Sequence, residues 1–234
     1  MAEFSGNEFR SLFRIAAVLG PIGTVFIVAY NVLTDVCEFA GFTPSPAPGQ
    51  SFVSSLDYIG TNATLFNSAV TFQAIGYIAL VPAVVGLFFA LRRTDLGFSV
   101  LRTVLIASGI GVILSNVSQS FFQVQAALEW DSGCTACGNI PIYEAAGMNS
   151  VGTADSFGGS LAVVGVIVIS LVMLRGTTFN RVSGYLGLLA GIVSIVGAIA
   201  FSSLSGGLAE VANVLPSIIV GSWVISLAPR LWKL

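Results

Sequence analysis

The chain has 234 residues, of which 55% are hydrophobic and only 9% are charged, and its mean hydropathy is +0.93. These values fit no class of soluble protein and leave a helical bundle in a membrane as the class that remains. The formal net charge is −2 and no basic cluster is larger than Arg92-Arg93, which excludes a nucleic-acid partner.

Six apolar segments are each long enough to cross the hydrocarbon core, since about 20 helical residues span about 30 Å. The first segment follows Arg10 and Arg14 as a secretory signal would, but it is too long for one and no A-x-A-like cleavage site comes after it. We therefore predict an all-α integral membrane protein with a single membrane domain over 1–234. Its six transmembrane helices are predicted at about 13–33, 69–91, 101–122, 157–174, 183–203 and 208–227.

The basic residues all fall on one side of this bundle: before helix one, after helix six, and at the turns between helices two and three and helices four and five. Because cytoplasmic segments near membrane spans are enriched in Lys and Arg, the pattern predicts a multi-pass cell-membrane protein with both termini in the cytoplasm. Two long exterior loops are then expected at 34–68 and 123–156. The exterior side carries only acidic charges, at Asp35, Glu38, Asp57, Glu129, Asp131, Glu144 and Asp155.

Two local segments accompany this order of helices. Helix two ends in FFALRR at 88–93, and helix five begins with NRVSGYLGLLAG at 180–191. With the basic start and the long first exterior loop, these segments make the chain resemble a large prokaryotic family of uncharacterised six-helix integral membrane proteins, classified as a domain of unknown function. The resemblance covers most of the chain and implies the six-helix membrane fold, but no activity.

Three cysteines, Cys37, Cys134 and Cys137, lie on the predicted exterior side. In an oxidising exterior the simplest prediction is one disulfide, with the pairing left open. Cys134 and Cys137 also form a C-x-x-C pair, but a redox-active thiolate needs an electropositive setting and this side has no basic residue. A zinc site from the three cysteines and Asp131 is a further alternative, although the spacing matches no zinc motif.

Polar side chains recur at one predicted level in the outer half of the membrane. Because polar groups at that depth are costly toward lipid, they should face one another or a water-filled cavity. Two interpretations stay open: interhelical hydrogen bonds, worth about 0.6 kcal/mol per pair, or a polar vestibule that binds a small molecule or ion, with Glu210 as its charged member. The vestibule residues are Gln73, Tyr77, Asn116, Gln119, Gln123, Glu210 and Asn213, with Ser217 on the same stripe of helix six and Tyr30 and Asn31 at the end of helix one.

Helix five carries a stripe of small residues at steps of three and four, which allows a close approach to a neighbouring helix. We therefore expect helix five to be the most tightly packed helix, against the glycines of helix four. The stripe consists of Gly187, Gly191, Ser194, Ala198 and Ser202, and the glycines of helix four are Gly158, Gly159 and Gly165.

The chain contains no histidine, which is the commonest general base and metal ligand, and it contains no phosphate-binding loop or nucleophile motif. We expect no enzyme activity, no metal and no cofactor. The leading hypothesis is a non-enzymatic accessory or structural component that acts through its exterior loops. Its expected partners are the lipid bilayer and either another protein or a second copy of the chain. The alternatives are binding or transport through the vestibule, and an exterior thiol-disulfide redox protein.

Overall fold

The computed structural model describes residues 9–33, 59–92, 96–131, 140–203 and 207–234, and within them it leaves the side chains of 116, 119, 122, 123, 126, 129–157 and 198–214 undescribed. All the regular secondary structure in the described part of the chain is helical, which confirms the all-α class for those residues. The helices are α1 Arg10–Asn31, α2 Ala63–Leu91, α3 Leu96–Asp131, α4 Ile140–Arg175, α5 Arg181–Ser203 and α6 Gly207–Lys233.

Five of these helices are long and apolar enough to cross a membrane, judged over the residues that the structure describes. The qualifying stretches are Arg10–Asn31, Ala63–Leu91, Leu96–Ser115, Gly158–Arg175 and Leu215–Lys233. The described part of α5, Arg181–Gly197, is also apolar but shorter. Only helices and closed barrels satisfy all their backbone groups within lipid, so a chain of this kind folds as a bundle of spanning helices.

Hydroxyl groups inside the apolar helices find partners within their own helix. Thr24 Oγ1 donates to the carbonyl of Gly20 at 3.0 Å, and Ser170 Oγ donates to the carbonyl of Val166 at 2.7 Å. Because lipid offers no hydrogen-bond partner, such bonds to the residue four positions earlier let Ser and Thr occupy an apolar helix. These hydroxyls therefore do not mark a polar site.

The six helices pack as a closed ring in chain order. Each helix packs against the helix before it and the helix after it, and α6 returns to pack against α1. The most extensive interfaces join α1 to α2 and α3 to α4, and α2 also touches α6 at a few positions. As a result, α3 and α6 stand three steps apart around the ring.

Glycines bring two of these helix pairs into backbone contact. A Cβ atom added at Gly23 in α1 would lie 2.6 Å from the carbonyl oxygen of Gly76 in α2. A Cβ atom added at Gly109 in α3 would likewise lie 2.6 Å from the carbonyl oxygen of Gly158 in α4. Such small residues allow helices to associate in lipid, where no hydrophobic force holds them together. They also explain why these two interfaces are the most extensive.

The predicted contact between the stripe of helix five and the glycines of helix four is wrong. Gly187 and Gly191 do face α4, but an added Cβ there would meet the side chains of Ser170 and Ile167. The α4 surface that faces these two glycines thus carries larger residues. On α4, Gly158 faces α3 instead, because α3 offers a glycine of its own at the same level.

Basic residues from separate helices gather at one end of the ring, here called the basic end. The Arg14 guanidinium lies 5.5 Å from the Trp232 ring centroid and links the start of α1 to the end of α6. Arg175 lies 5.9 Å from the Phe98 ring centroid and links the end of α4 to the start of α3. Arg230 joins the end of α6 to the turn before α5, through a 2.7 Å hydrogen bond from its Nε to the carbonyl of Thr178.

The buried core lies toward the basic end and joins five helices. Within it, the Trp223 indole is 3% exposed and its Nε1 donates to the carbonyl of Ser183 at 2.9 Å, which ties α6 to the first turn of α5. This satisfied polar tip lets a large aromatic ring occupy the interior. The core consists of Phe13, Ala16, Ala17, Leu87, Leu91, Val166, Ile169, Val172, Met173, Phe179, Ala190, Trp223, Leu227 and Leu231.

Helices extend into both of the segments predicted as exterior loops. Helix α2 already begins at Ala63, inside the expected loop 34–68, while α3 continues to Asp131 and α4 begins at Ile140, so most of the expected loop 123–156 is helical. The predicted helices end where the hydropathy of the sequence falls. A helix that leaves the hydrocarbon can remain helical with polar residues, since it then needs no apolar surface toward lipid.

Candidate functional site

The residues of the predicted vestibule lie on three helices. Gln73 and Tyr77 are in α2. Of the seven predicted vestibule residues, the structure describes the side chains of these two. Helices α2 and α3 are neighbours in the ring, whereas α3 and α6 are not, so convergence of all seven residues stays a prediction. Outside α2, α3 contains Asn116, Gln119 and Gln123, and α6 contains Glu210 and Asn213.

Gln73 lies in a helix interface rather than at a described cleft. It is 5% exposed and lies three residues before Gly76, on the stripe of α2 that packs against α1. Tyr77 is half-buried. Neither of two clefts formed by described residues includes Gln73 or Tyr77. One is a shallow apolar depression of about 330 Å³ on α1, and the other lies at the basic end.

One pair of polar side chains at the predicted level does meet across a helix interface. The Asn31 Nδ2 atom of α1 donates to the Ser217 Oγ atom of α6 at 2.7 Å. This contact is the interhelical hydrogen bond that the packing interpretation expects. It closes the ring at the end opposite the basic residues.

The three cysteines lie outside the residues that the structure describes; they are Cys37, Cys134 and Cys137. The disulfide, the redox pair and the zinc site therefore stay predictions. Among the described residues, His, Cys, Asp and Glu side chains form no group of three that could hold a metal ion.

Arg102 is the only charged side chain that is buried among those the structure describes, with 1% of its surface exposed. Its Nη2 atom donates to Ser99 Oγ at 2.8 Å and approaches the carbonyl of Leu87 at 3.4 Å. The guanidinium therefore bridges the last turns of α2 and the first turns of α3. In the sequence, Arg102 indicates only which side of the membrane the turn between helices two and three lies on. Nothing in the sequence distinguishes a buried arginine from an exposed one near a turn.

Helices α3 and α4 are longer than a membrane requires. Each has 36 residues, which at about 1.5 Å per residue gives about 54 Å, whereas the hydrocarbon core is about 30 Å thick. Helix α3 begins at Leu96 and α4 ends at Arg175, both at the basic end, where Arg175 contacts Phe98. The surplus length therefore lies at the opposite end. We call 123–131 with 140–156 the α3–α4 extension.

The extension is packed at its base, because Val124 is 3% exposed and Ala127 is fully buried. Its charges are all acidic: Glu129, Asp131, Glu144 and Asp155. The extension therefore contains four acidic residues and no basic one. The sequence predicts these residues outside the membrane, in a loop.

A polar cleft of about 420 Å³ at the basic end was also missed from the sequence. It lies between the α4–α5 turn and the last turns of α6, which are far apart in the chain and meet only because α5 packs against α6. The only hint in the sequence was that both segments belong to the basic side. Its lining residues are Thr177, Phe179, Asn180, Val182, Ser183, Leu186, Ser226, Pro229, Arg230 and Lys233.

Together, the apolar helices and their packing define the class: an all-α membrane protein built from several spanning helices. Comparison of the chain with protein-family models, with curated proteins and with solved structures finds no match.

Proposed function

We propose that the chain crosses the membrane six times, with the basic end and both termini in the cytoplasm. The closed ring of helices supports six spans, because α5 packs between α4 and α6 as a full member of it. The collection of Arg and Lys at one end supports the orientation, since such residues are retained on the cytoplasmic side.

A cysteine-accessibility scan tests this topology. In a variant whose three native cysteines are replaced by serine, single cysteines at Gln50 and Asn139 should react with a membrane-impermeant maleimide in intact cells. Cysteines at Thr94 and Asn180 should react only after permeabilisation. The reverse pattern would show inverted orientation, and labelling of Thr94 together with Asn139 from outside would contradict six spans.

Within this topology, the function best supported is that of a non-enzymatic accessory component that presents the α3–α4 extension to a partner outside the membrane. The length of α3 and α4 carries the proposal, because two paired helices that outrun the bilayer form a stiff projection. The burial of Val124 and Ala127 supports it, since the projection has its own packed base. Its acidic charges favour a partner surface that is basic.

The absence of histidine from the chain supports the non-enzymatic part of the proposal. The Asn31–Ser217 hydrogen bond supports packing, rather than a vestibule, as the role of polar groups at the outer level. Binding through the vestibule and thiol-disulfide chemistry remain alternative predictions.

Site-specific photo-crosslinking in native membranes tests the accessory role. A benzoyl-phenylalanine at Asp131 or Glu144 should give a discrete protein adduct, because these positions lie on the extension. The matched control is Ile195 in α5, which is 44% exposed on the outer surface of the bundle and should give only lipid adducts. Removing two further charges of the extension with Glu129→Gln and Asp155→Asn should weaken the protein adduct, since rim charges steer association.

Two outcomes of this experiment decide the proposal. An adduct with the mass of two chains would identify the partner as a second copy. Identical adduct patterns from Asp131, Glu144 and Ile195 would contradict a partner at the extension.

A further inference from the structure

The cleft at the basic end combines two cations with an apolar wall. Arg230 and Lys233 are three residues apart on α6 and so share one face of that helix. Opposite them, Val182 and Leu186 of α5 are 57% and 39% exposed and line the same cleft. A single groove thus runs from charged groups at the end of the helices to side chains on the outer surface of the bundle.

The donors in this cleft suit a phosphate group. The Nε of Arg230 is held by the carbonyl of Thr178 at 2.7 Å, which fixes the guanidinium while its two terminal amino groups remain available. Such a planar fork matches phosphate oxygens, and Lys233 adds a second cation. The hydroxyls of Thr177 and Ser183 line the same space.

No Asp or Glu side chain lies near these cations in the sequence. The chain has no Asp or Glu from 156 to 209 or from 211 to 234, the regions that supply every residue of the cleft. The lining of the cleft therefore carries two positive charges and no acidic side chain. It attracts an anion rather than a second protein surface with mixed charges.

Aromatic residues indicate that the cleft lies at the boundary between lipid and water. Tyr185 and Trp232 are 62% and 52% exposed at the same end of the bundle. Exposed Tyr and Trp rings concentrate at the level of lipid headgroups, where one part of the ring is apolar and another is polar. A ligand here meets headgroups on one side and acyl chains on the other.

From this arrangement we infer that the cleft is a binding site for an anionic phospholipid, with the headgroup phosphate at Arg230 and Lys233 and an acyl chain along Val182 and Leu186. Basic pockets between helices on the cytoplasmic side are suited to such lipids. The site lies at the opposite end of the bundle from the α3–α4 extension and does not depend on the proposed partner there.

Native mass spectrometry of the full chain tests the site, with phosphatidylglycerol compared against phosphatidylcholine of the same acyl chains. The wild-type chain should retain phosphatidylglycerol about 30-fold more strongly, if each cation contributes as a juxtamembrane Lys or Arg does. Arg230→Gln with Lys233→Gln should abolish this preference. The matched control, Arg10→Gln with Arg175→Gln, removes the same charge from two exposed positions of the basic end and should retain it.

Equal loss of preference in both double variants would overturn the site, because the attraction would then be the general one of a basic membrane end. A second variant, Leu186→Trp, fills the apolar wall while leaving both cations in place, and it should lower phosphatidylglycerol retention. Inorganic phosphate added to the delipidated chain distinguishes the source of the anion. If phosphate alone binds through Arg230 and Lys233 and displaces phosphatidylglycerol, the lipid assignment is wrong.

Discussion

Replacing Gly23 with alanine should lower the free energy of unfolding by about 1–3 kcal/mol, the usual cost of overpacking a close interface. The added Cβ would lie 2.6 Å from the carbonyl oxygen of Gly76 and 3.1 Å from the Cβ of Ala79. Neither atom is the end of a flexible side chain, so α1 and α2 must move apart along their length. The α1–α2 interface is among the most extensive in the ring, so moving these two helices apart weakens the packing of both.

Gly111→Ala is the matched control, because nothing lies within 4 Å of a Cβ at that position in α3. Alanine favours a helix over glycine, so this control should melt at the same temperature as the wild type or slightly above it. Thermal unfolding of the purified chains in one detergent provides the comparison. If Gly23→Ala and Gly111→Ala melt together, the backbone contact between α1 and α2 does not hold the bundle.

Hydropathy located the helices well because lipid imposes a requirement that the sequence displays directly. The predicted helix at 183–203 matches α5, Arg181–Ser203, within two residues, and the predicted helix at 13–33 matches α1, Arg10–Asn31, within three. The ends of α3 and α4 were missed for the complementary reason. The apolar stretch of the sequence ends before Gln123, and beyond it neither composition nor periodicity separates a polar helix from a loop.

Packing partners could be predicted less well than helices. The sequence shows that Gly187 and Gly191 share a stripe, but a stripe does not reveal what the opposing helix presents. Gly159 illustrates the limit: it lies beside Gly158 in the sequence, yet a Cβ at Gly159 would meet nothing within 4 Å. Which glycine makes a contact depends on how the two helices are placed relative to each other.

The cleft at the basic end could not be predicted for a related reason. Asn180 and Lys233 are separated by most of two helices, and they come together because α6 packs against α5 as the ring closes. The sequence gives their charge and their side of the membrane. Their distance from each other depends on the order of helices around the ring, which no local pattern encodes.

Arg102→Ala should be among the most destabilising single substitutions, with an expected loss of about 3 kcal/mol from the cavity and the broken hydrogen bonds. The side chain is the largest of the fully buried ones among the described residues. Its removal leaves Ser99 without the donor that lies 2.8 Å from its hydroxyl, and it empties the space between the last turns of α2 and the first turns of α3.

Arg181→Ala is the control, because Arg181 is exposed at the basic end and its loss removes the same charge without opening a cavity. An exposed substitution of this kind changes stability by only about 0.5 kcal/mol.

Arg102→Met then separates volume from charge, since methionine refills most of the space but cannot donate to Ser99. An apolar side chain that fits can replace a buried charge at little cost. We therefore expect thermal unfolding to place Arg102→Met close to the wild type and Arg102→Ala far below it. If instead Arg102→Met melts as low as Arg102→Ala, the hydrogen bonds of the guanidinium, rather than its volume, hold α2 and α3 together. If Arg102→Ala melts with Arg181→Ala, the side chain is not buried as the structure places it.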